Sequence, residues 1–202
     1  SCCDLGAHRR GMKSVHWGRK PSRVTADAEM ACGNAHGPEE RGLALMARAR
    51  TLGEAQQSKS QVIASIEAAL ECAIPNPGNA PRPDAWWIHQ AEMMAALALS
   101  RYGGMMGAIT NYTDHAVEAL PRSAVLLRTH AHLTLADAYV SDREYDQAAT
   151  LTLTTLRSVP REHRQPVLFG RAHGLLKRVR MRAGHSTAAT RLAEGLREYG
   201  EG

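Results

Sequence analysis

Apolar residues recur at helical spacing along most of the chain, and no segment alternates with period two for long enough to make a strand. The clearest stripe is Val62, Ile63, Ile66, Ala69, Leu70 and Ala73, with a period near 3.6. Ser58-x-x-Gln61 precedes it as a capping-box pattern. An earlier helix starts at Pro38-Glu39-Glu40, where proline suits the first turn and two carboxylates face the positive end of the dipole. It continues through Leu43, Met46 and Ala47, and Gly53 reads as its stop. Residues 74–83 contain four prolines and read as a linker, because each proline removes a backbone donor and fixes φ. Asp84 then reads as the cap of a helix from Ala85 to about Tyr102, ended by Gly103-Gly104.

Five more helices follow. One runs from Met106 to Leu120, and one is capped by Ser123 and reaches Ser141. Tyr145 to Ser158 make the next; Thr150 to Thr155 briefly alternate Leu and Thr there, but the flanking pattern is helical. Pro166 opens a helix that Gly184 stops, and Ser186 caps a last helix ending at Gly200. The reading is therefore all-α, with eight helices in four pairs over residues 38–202. Residues 1–37 show no sustained period beyond a short helical stretch at Ala26 to Ala31, and are expected to be irregular.

The pairs recur. The turns near Gly103, Arg143 and Gly184 are 40 and 41 residues apart, and the pair ends near Leu120, Val159 and Tyr199 are 39 and 40 apart. Such a period predicts a helical-hairpin solenoid, because one hairpin cannot bury its apolar face alone and stacked neighbours can.

Residues 133–160 resemble a tetratricopeptide (TPR) unit without a gap. Leu135 and Ala136 match its large–small pair, Tyr139 its inter-helix aromatic, and Glu144-Tyr145-Asp146 its turn. Ala148 matches the small residue at the helix crossing, and Pro160 the terminal proline. Thr152, Thr155 and Arg143 depart from the pattern; glycine is usual at the last. The pair at 90–120 shares Ala95, Ala96, Leu99, Gly103, Ala108 and Tyr112, and the pair at 170–199 shares Leu176, Gly184 and Ala189, with Lys177 and Arg180 as departures. More narrowly, the stretch from Asp84-Ala85-Trp86-Trp87 to Ser158 resembles the C-terminal TPR-like region of actinobacterial helix-turn-helix transcriptional regulators. That resemblance implies a sensor or oligomerisation module lying beneath a DNA-binding domain, of which no motif is visible in this sequence.

In TPR arrays the first helix of each pair lines a concave groove. Carried over position by position, the resemblance implies Gln90, Leu97 and Arg101, then His130, Asp137 and Ser141, then Arg171, Arg178 and Arg182. The last three make one end of that groove basic and suited to forked hydrogen bonds with carboxylate or phosphate. The same arginines are alternatively read as solubilising a terminal repeat. Trp86 and Trp87, adjacent on a helix, would point to different faces, one of them a candidate binding anchor.

Charge sharpens the partner reading. The net charge is +5, with six Lys/Arg against Asp4 in residues 1–23 and nine against Glu162, Glu194 and Glu198 in residues 161–198. Basic ends favour an acidic partner. The leading reading is a non-catalytic module binding an acidic protein or peptide, or a small ligand. Nucleic-acid binding through the basic ends is the alternative, without interleaved aromatic platforms or a recognition-helix motif. Self-association through the N-terminal end is a third, with Arg191, Glu194, Arg197 and Glu198 expected to cap the C-terminal end.

Candidate chemistry is sparse. No phosphate-binding, dinucleotide, zinc-protease or nucleophile-elbow motif occurs, and catalysis is not expected. Cys32-x3-His36 is the nearest approach to a zinc pair and lacks a second pair, so no metal or cofactor is expected. Cys2, Cys3, Cys32 and Cys72 are read as reduced thiols. His130 and His132, two apart on a helix, point to different faces and cannot chelate together. No apolar run reaches 18 residues and Ser1–Gly6 lack a signal-peptide core, so a cytoplasmic protein without a membrane span is expected, read as a fragment of a longer chain.

Overall fold

The computed structural model describes residues 21–74 and 87–201. Among them every regular element is helical, apart from one isolated parallel bridge between Ile74 and Trp87. The helices are α1 (Pro21–Gly33), α2 (Pro38–Glu54), α3 (Lys59–Glu71), α4 (Ile88–Leu99), α5 (Met106–Ala119), α6 (Val125–Ser141), α7 (Tyr145–Arg157), α8 (Pro166–Ala183) and α9 (Thr187–Glu201), with a 3₁₀ turn at Arg161–His163. They fall into two compact units divided between Arg101 and Tyr102.

In the first unit α1 packs on α2, α2 packs on α3, and α4 packs on both α2 and α3. Met46, Val62, Ile66, Ala91 and Ala95 are fully buried, so the stripes seen in the sequence face inward. The segment 1–37 departs from expectation. Residues 21–33 form α1, whose Ala28 and Ala31 are buried and whose Glu29 pairs with Arg48 at 3.8 Å. A buried face made of alanine carries little hydrophobic signal, which is why the pattern looked irregular. Residues 1–20 lie outside the described residues.

Gly53 does not stop α2. It is buried inside that helix, and a Cβ built there would lie 2.5 Å from the Ala98 carbonyl oxygen of α4. The glycine lets two backbones touch. The helix ends instead at Ala55 and Gln56, and Gln56 takes a left-handed φ of 50°. Its side-chain amide donates to the Arg101 carbonyl at 3.4 Å. Gly53 meets Ala98 and Gln56 meets Arg101 at the same sequence offset (98 − 53 = 45; 101 − 56 = 45), so α4 runs alongside α2 in the same direction.

Several expected caps differ. Ser58 precedes α3 but makes no capping bond, its hydroxyl lying 2.7 Å from that of Ser60. Ala124, not Ser123, is the cap residue of α6. Trp87 is the extended residue before α4 rather than part of it, because the Ile88 N–H donates to the Ile74 carbonyl at 3.0 Å. The proline-rich linker, Asp84 and Trp86 lie outside the described residues.

In the second unit α6 packs on α5, α7 and α8, while α9 packs on α7 and α8. The core joins Leu133, Ala136 and Val140 of α6, Ala148 and Leu156 of α7, Leu168 and Leu175 of α8, and Leu192 and Leu196 of α9. Leu135 is only half-buried; Leu133 fills the core position beside Ala136. Thr152 is fully buried in α7, where its hydroxyl donates to the Ala148 carbonyl at 2.7 Å. That back-bond satisfies the polar atom where an aromatic was expected. Pro166 and Gly184 bound α8 as anticipated, with Gly184 at φ 60°. The Ala189 N–H donates to the Ser186 hydroxyl oxygen at 3.3 Å as α9 begins. Arg191, Glu194, Arg197 and Glu198 are all exposed on that last helix.

Candidate functional site

Six of the nine groove residues implied by the resemblance lie on α6 and α8, and the fold brings them together in pairs. His130, Thr134, Asp137 and Ser141 follow one another every three to four residues and so share the α6 face turned to α8. Arg171, Arg178 and Arg182, seven and four residues apart, likewise share one face of α8. The Arg171 guanidinium donates to the His130 Nδ1 at 3.1 Å and also bonds the Thr134 hydroxyl. Arg178 donates to the Asp137 carboxylate and, at 3.2 Å, to the Asp137 main-chain carbonyl. Arg182 donates to the Val140 and Ser141 carbonyls at 3.1 and 3.5 Å, capping the C-terminal end of α6.

Three of these contacts, Arg171 to His130, Arg178 to Asp137 and Arg182 to Ser141, join residues 41 apart. A fourth links α9 to α7 at the same offset, where Arg191 donates to the Thr150 hydroxyl at 3.0 Å. A constant positive offset along two helix pairs means that α8 lies beside α6, and α9 beside α7, each in the same direction. The hairpin α8–α9 therefore lies alongside the hairpin α6–α7, with side-chain bonds between residues 41 apart.

This geometry divides the basic residues by role. Arg171 and Arg178 are largely buried, and their guanidiniums are engaged by α6. Asp137 is 8% exposed and Arg178 16%, with Arg171 Nη2 3.9 Å from the second carboxylate oxygen. Burial first, and the neighbouring Arg171 charge second, push the His130 pKa down to about 4. The ring is thus neutral at pH 7, accepts at Nδ1 and carries its proton on Nε2. His132 is lowered too, by burial and then by Arg128, against a smaller opposing effect of Asp114.

Other charges stay at the surface. Lys177 and Arg180, which broke the TPR pattern, are exposed neighbours on α8. Ser141, Arg143, Tyr145 and Arg182 line an open pocket of ≈ 590 Å³ where the α6–α7 turn meets the C-terminal end of α8. Ser141 and Arg182 were expected at a site. Arg143 and Tyr145 had been assigned only to the turn; their signal was the arginine standing where glycine is usual. The other three implied residues belong to the first unit. Gln90 is exposed and Leu97 half-exposed on α4, and the Arg101 carbonyl accepts from Gln56.

Among the described residues no three His, Cys, Asp or Glu side chains group so as to hold a metal ion, and no helix is long and apolar enough to cross a membrane. Cys32 and Cys72 are free and half-buried, and burial outweighs nearby arginines in raising the Cys32 thiol pKa. Compared with protein-family models, curated proteins and solved structures, the chain matches none.

Proposed function

We propose that this chain is a TPR-like helical-hairpin solenoid acting as a non-catalytic binding module for an acidic protein or peptide. The observation that carries the reading is the set of side-chain bonds between residues 41 apart, which supports successive hairpins stacked in register. Stacked hairpins present the first helix of each pair as a continuous face, and on α8 that helix exposes Lys177 and Arg180. In the regulators the chain resembles, such a region senses a ligand or drives oligomerisation, and we propose the same role here.

The test uses a fluorescein-labelled oligoglutamate peptide and fluorescence anisotropy. Wild type should bind saturably. Lys177→Glu with Arg180→Glu should weaken binding at least tenfold, about 1.4 kcal/mol, with an unchanged circular dichroism spectrum. These two residues are chosen because neither makes a hydrogen bond or ion pair among the described residues, so their reversal leaves the helix packing alone. Equal binding by the variant would overturn the reading. Tighter binding of a single-stranded oligonucleotide, falling steeply with salt, would replace it with the nucleic-acid reading.

A further inference from the structure

The α6–α7 turn closes in a Schellman arrangement. The Glu144 N–H donates to the Tyr139 carbonyl at 2.8 Å and the Arg143 N–H to the Val140 carbonyl at 3.3 Å. This motif places Arg143 at the left-handed position, with φ 66°. Glycine is the usual occupant, because a Cβ strains that conformation. The first unit has the same motif at α2, with Gln56 in the strained position. There the side chain has a use, since its amide reaches the Arg101 carbonyl. The Arg143 guanidinium has no hydrogen bond or ion pair among the described residues. A strained residue whose side chain has no partner among the described residues points to a role outside the fold.

That side chain lines the ≈ 590 Å³ pocket with Arg182, Tyr145 and Ser141. Arg182 uses Nη1 on the carbonyls that end α6, which fixes the guanidinium and leaves Nε and Nη2 without a partner among the described residues. The Tyr145 ring packs against the core, and its hydroxyl makes no hydrogen bond among the described residues. The turn's two carboxylates do not line the pocket, and Asp142 already accepts the Gly104 N–H. Two guanidiniums and a held phenol, with no lining carboxylate among the described residues, form an anion receptor of small-molecule size.

We propose that this pocket binds the phosphoryl group of a small ligand. Two positive charges match a phosphomonoester dianion better than a single carboxylate, and each guanidinium offers donors to its oxygens. The proposal rests on the binding-module reading and gives it a second, distinct ligand site. The deciding experiment is a ¹H–¹⁵N NMR titration of the full chain at constant ionic strength with phenyl phosphate, and with benzoate as the carboxylate counterpart. Phenyl phosphate should shift the amides of residues 141–145 saturably, and more tightly above pH 6, where its second proton is lost.

Arg143→Gly removes the guanidinium while relieving the strained backbone, so the fold is kept and affinity should fall at least tenfold. Tyr145→Phe should weaken binding several-fold. The Lys177→Glu/Arg180→Glu variant should bind phenyl phosphate like wild type, which separates this site from the peptide-binding face. The proposal is overturned by non-saturating shifts, by equal affinity in Arg143→Gly, by benzoate binding as tightly as phenyl phosphate, or by loss of binding in the Lys177/Arg180 variant.

Discussion

Arg178 is the side chain whose role the structure changes most, and its removal gives the sharpest energetic prediction. Its guanidinium meets a carboxylate that is 8% exposed, while the arginine itself is 16% exposed. Arg171 also lies near Asp137, 3.9 Å from the second oxygen. Arg178→Met keeps the aliphatic stem in contact with the core but takes from the buried Asp137 carboxylate its nearest charged partner. Removing one partner of a buried pair typically costs 3–5 kcal/mol, and the remaining Arg171 places the expected loss near the lower end, about 3 kcal/mol. With a urea m-value of about 2 kcal/mol/M, the midpoint of unfolding by far-ultraviolet circular dichroism should fall by roughly 1.5 M. Replacing both partners, Arg178→Met with Asp137→Leu, should recover part of that loss, because the buried carboxylate is removed along with its closest partner, while Arg171 keeps its bonds to His130 and Thr134. A single variant within about 0.5 kcal/mol of wild type, or a double variant whose effects simply add, would refute the reasoning.

Other consequences follow from the same packing. His130 has a depressed folded-state pKa of about 4, so between that value and 6.5 the unfolded chain binds the extra proton. Stability should therefore be complete above pH 6.5 and fall as pH drops toward 4; His130→Asn, which keeps an acceptor for Arg171, should flatten that part of a stability–pH curve. Gly53→Ala should destabilise by about 1–3 kcal/mol despite alanine's better helix propensity, because its Cβ would meet the Ala98 backbone rather than a movable side chain. Gly170→Ala and Gly174→Ala, on the exposed face of α8 with nothing within 4 Å, should each stabilise by about 0.5–1 kcal/mol, and thermal melts of the three variants check all these signs. Arg143→Gly should raise stability by about 1 kcal/mol while it empties the pocket of its unpartnered charge.

Much of the fold was legible because its signals are large and local. Prolines and glycines set the bounds of α8, and the aliphatic stripe of α3 fixed its buried face. The 41-residue contacts were legible as a period. What failed was information that lives in three dimensions. Gly53 looks like a stop signal in a string of residues, and only the neighbouring Ala98 backbone shows it to be a crossing point. Helix α1 buries alanines, which differ too little from their surroundings to stand out. The site was half legible for a similar reason. The sequence placed Arg171, Arg178 and Arg182 on one helical face, but not that the first two are drawn inward by His130, Thr134 and Asp137. Lys177 and Arg180 looked like faults in a repeat and are instead exposed basic residues of α8.

Both the binding face and the pocket require the 41-residue step between hairpins. Thr150 and Arg191 are exposed, lie on α7 and α9, and are joined by a 3.0 Å hydrogen bond. Nitroxide labels at these two positions, in a chain whose native cysteines are replaced by serine, would sit on neighbouring helices about 8–10 Å apart. The account predicts strong dipolar broadening of the doubly labelled electron paramagnetic resonance spectrum. A spectrum equal to the sum of the two singly labelled proteins would contradict the stacked register, and with it the surface on which the proposed binding depends.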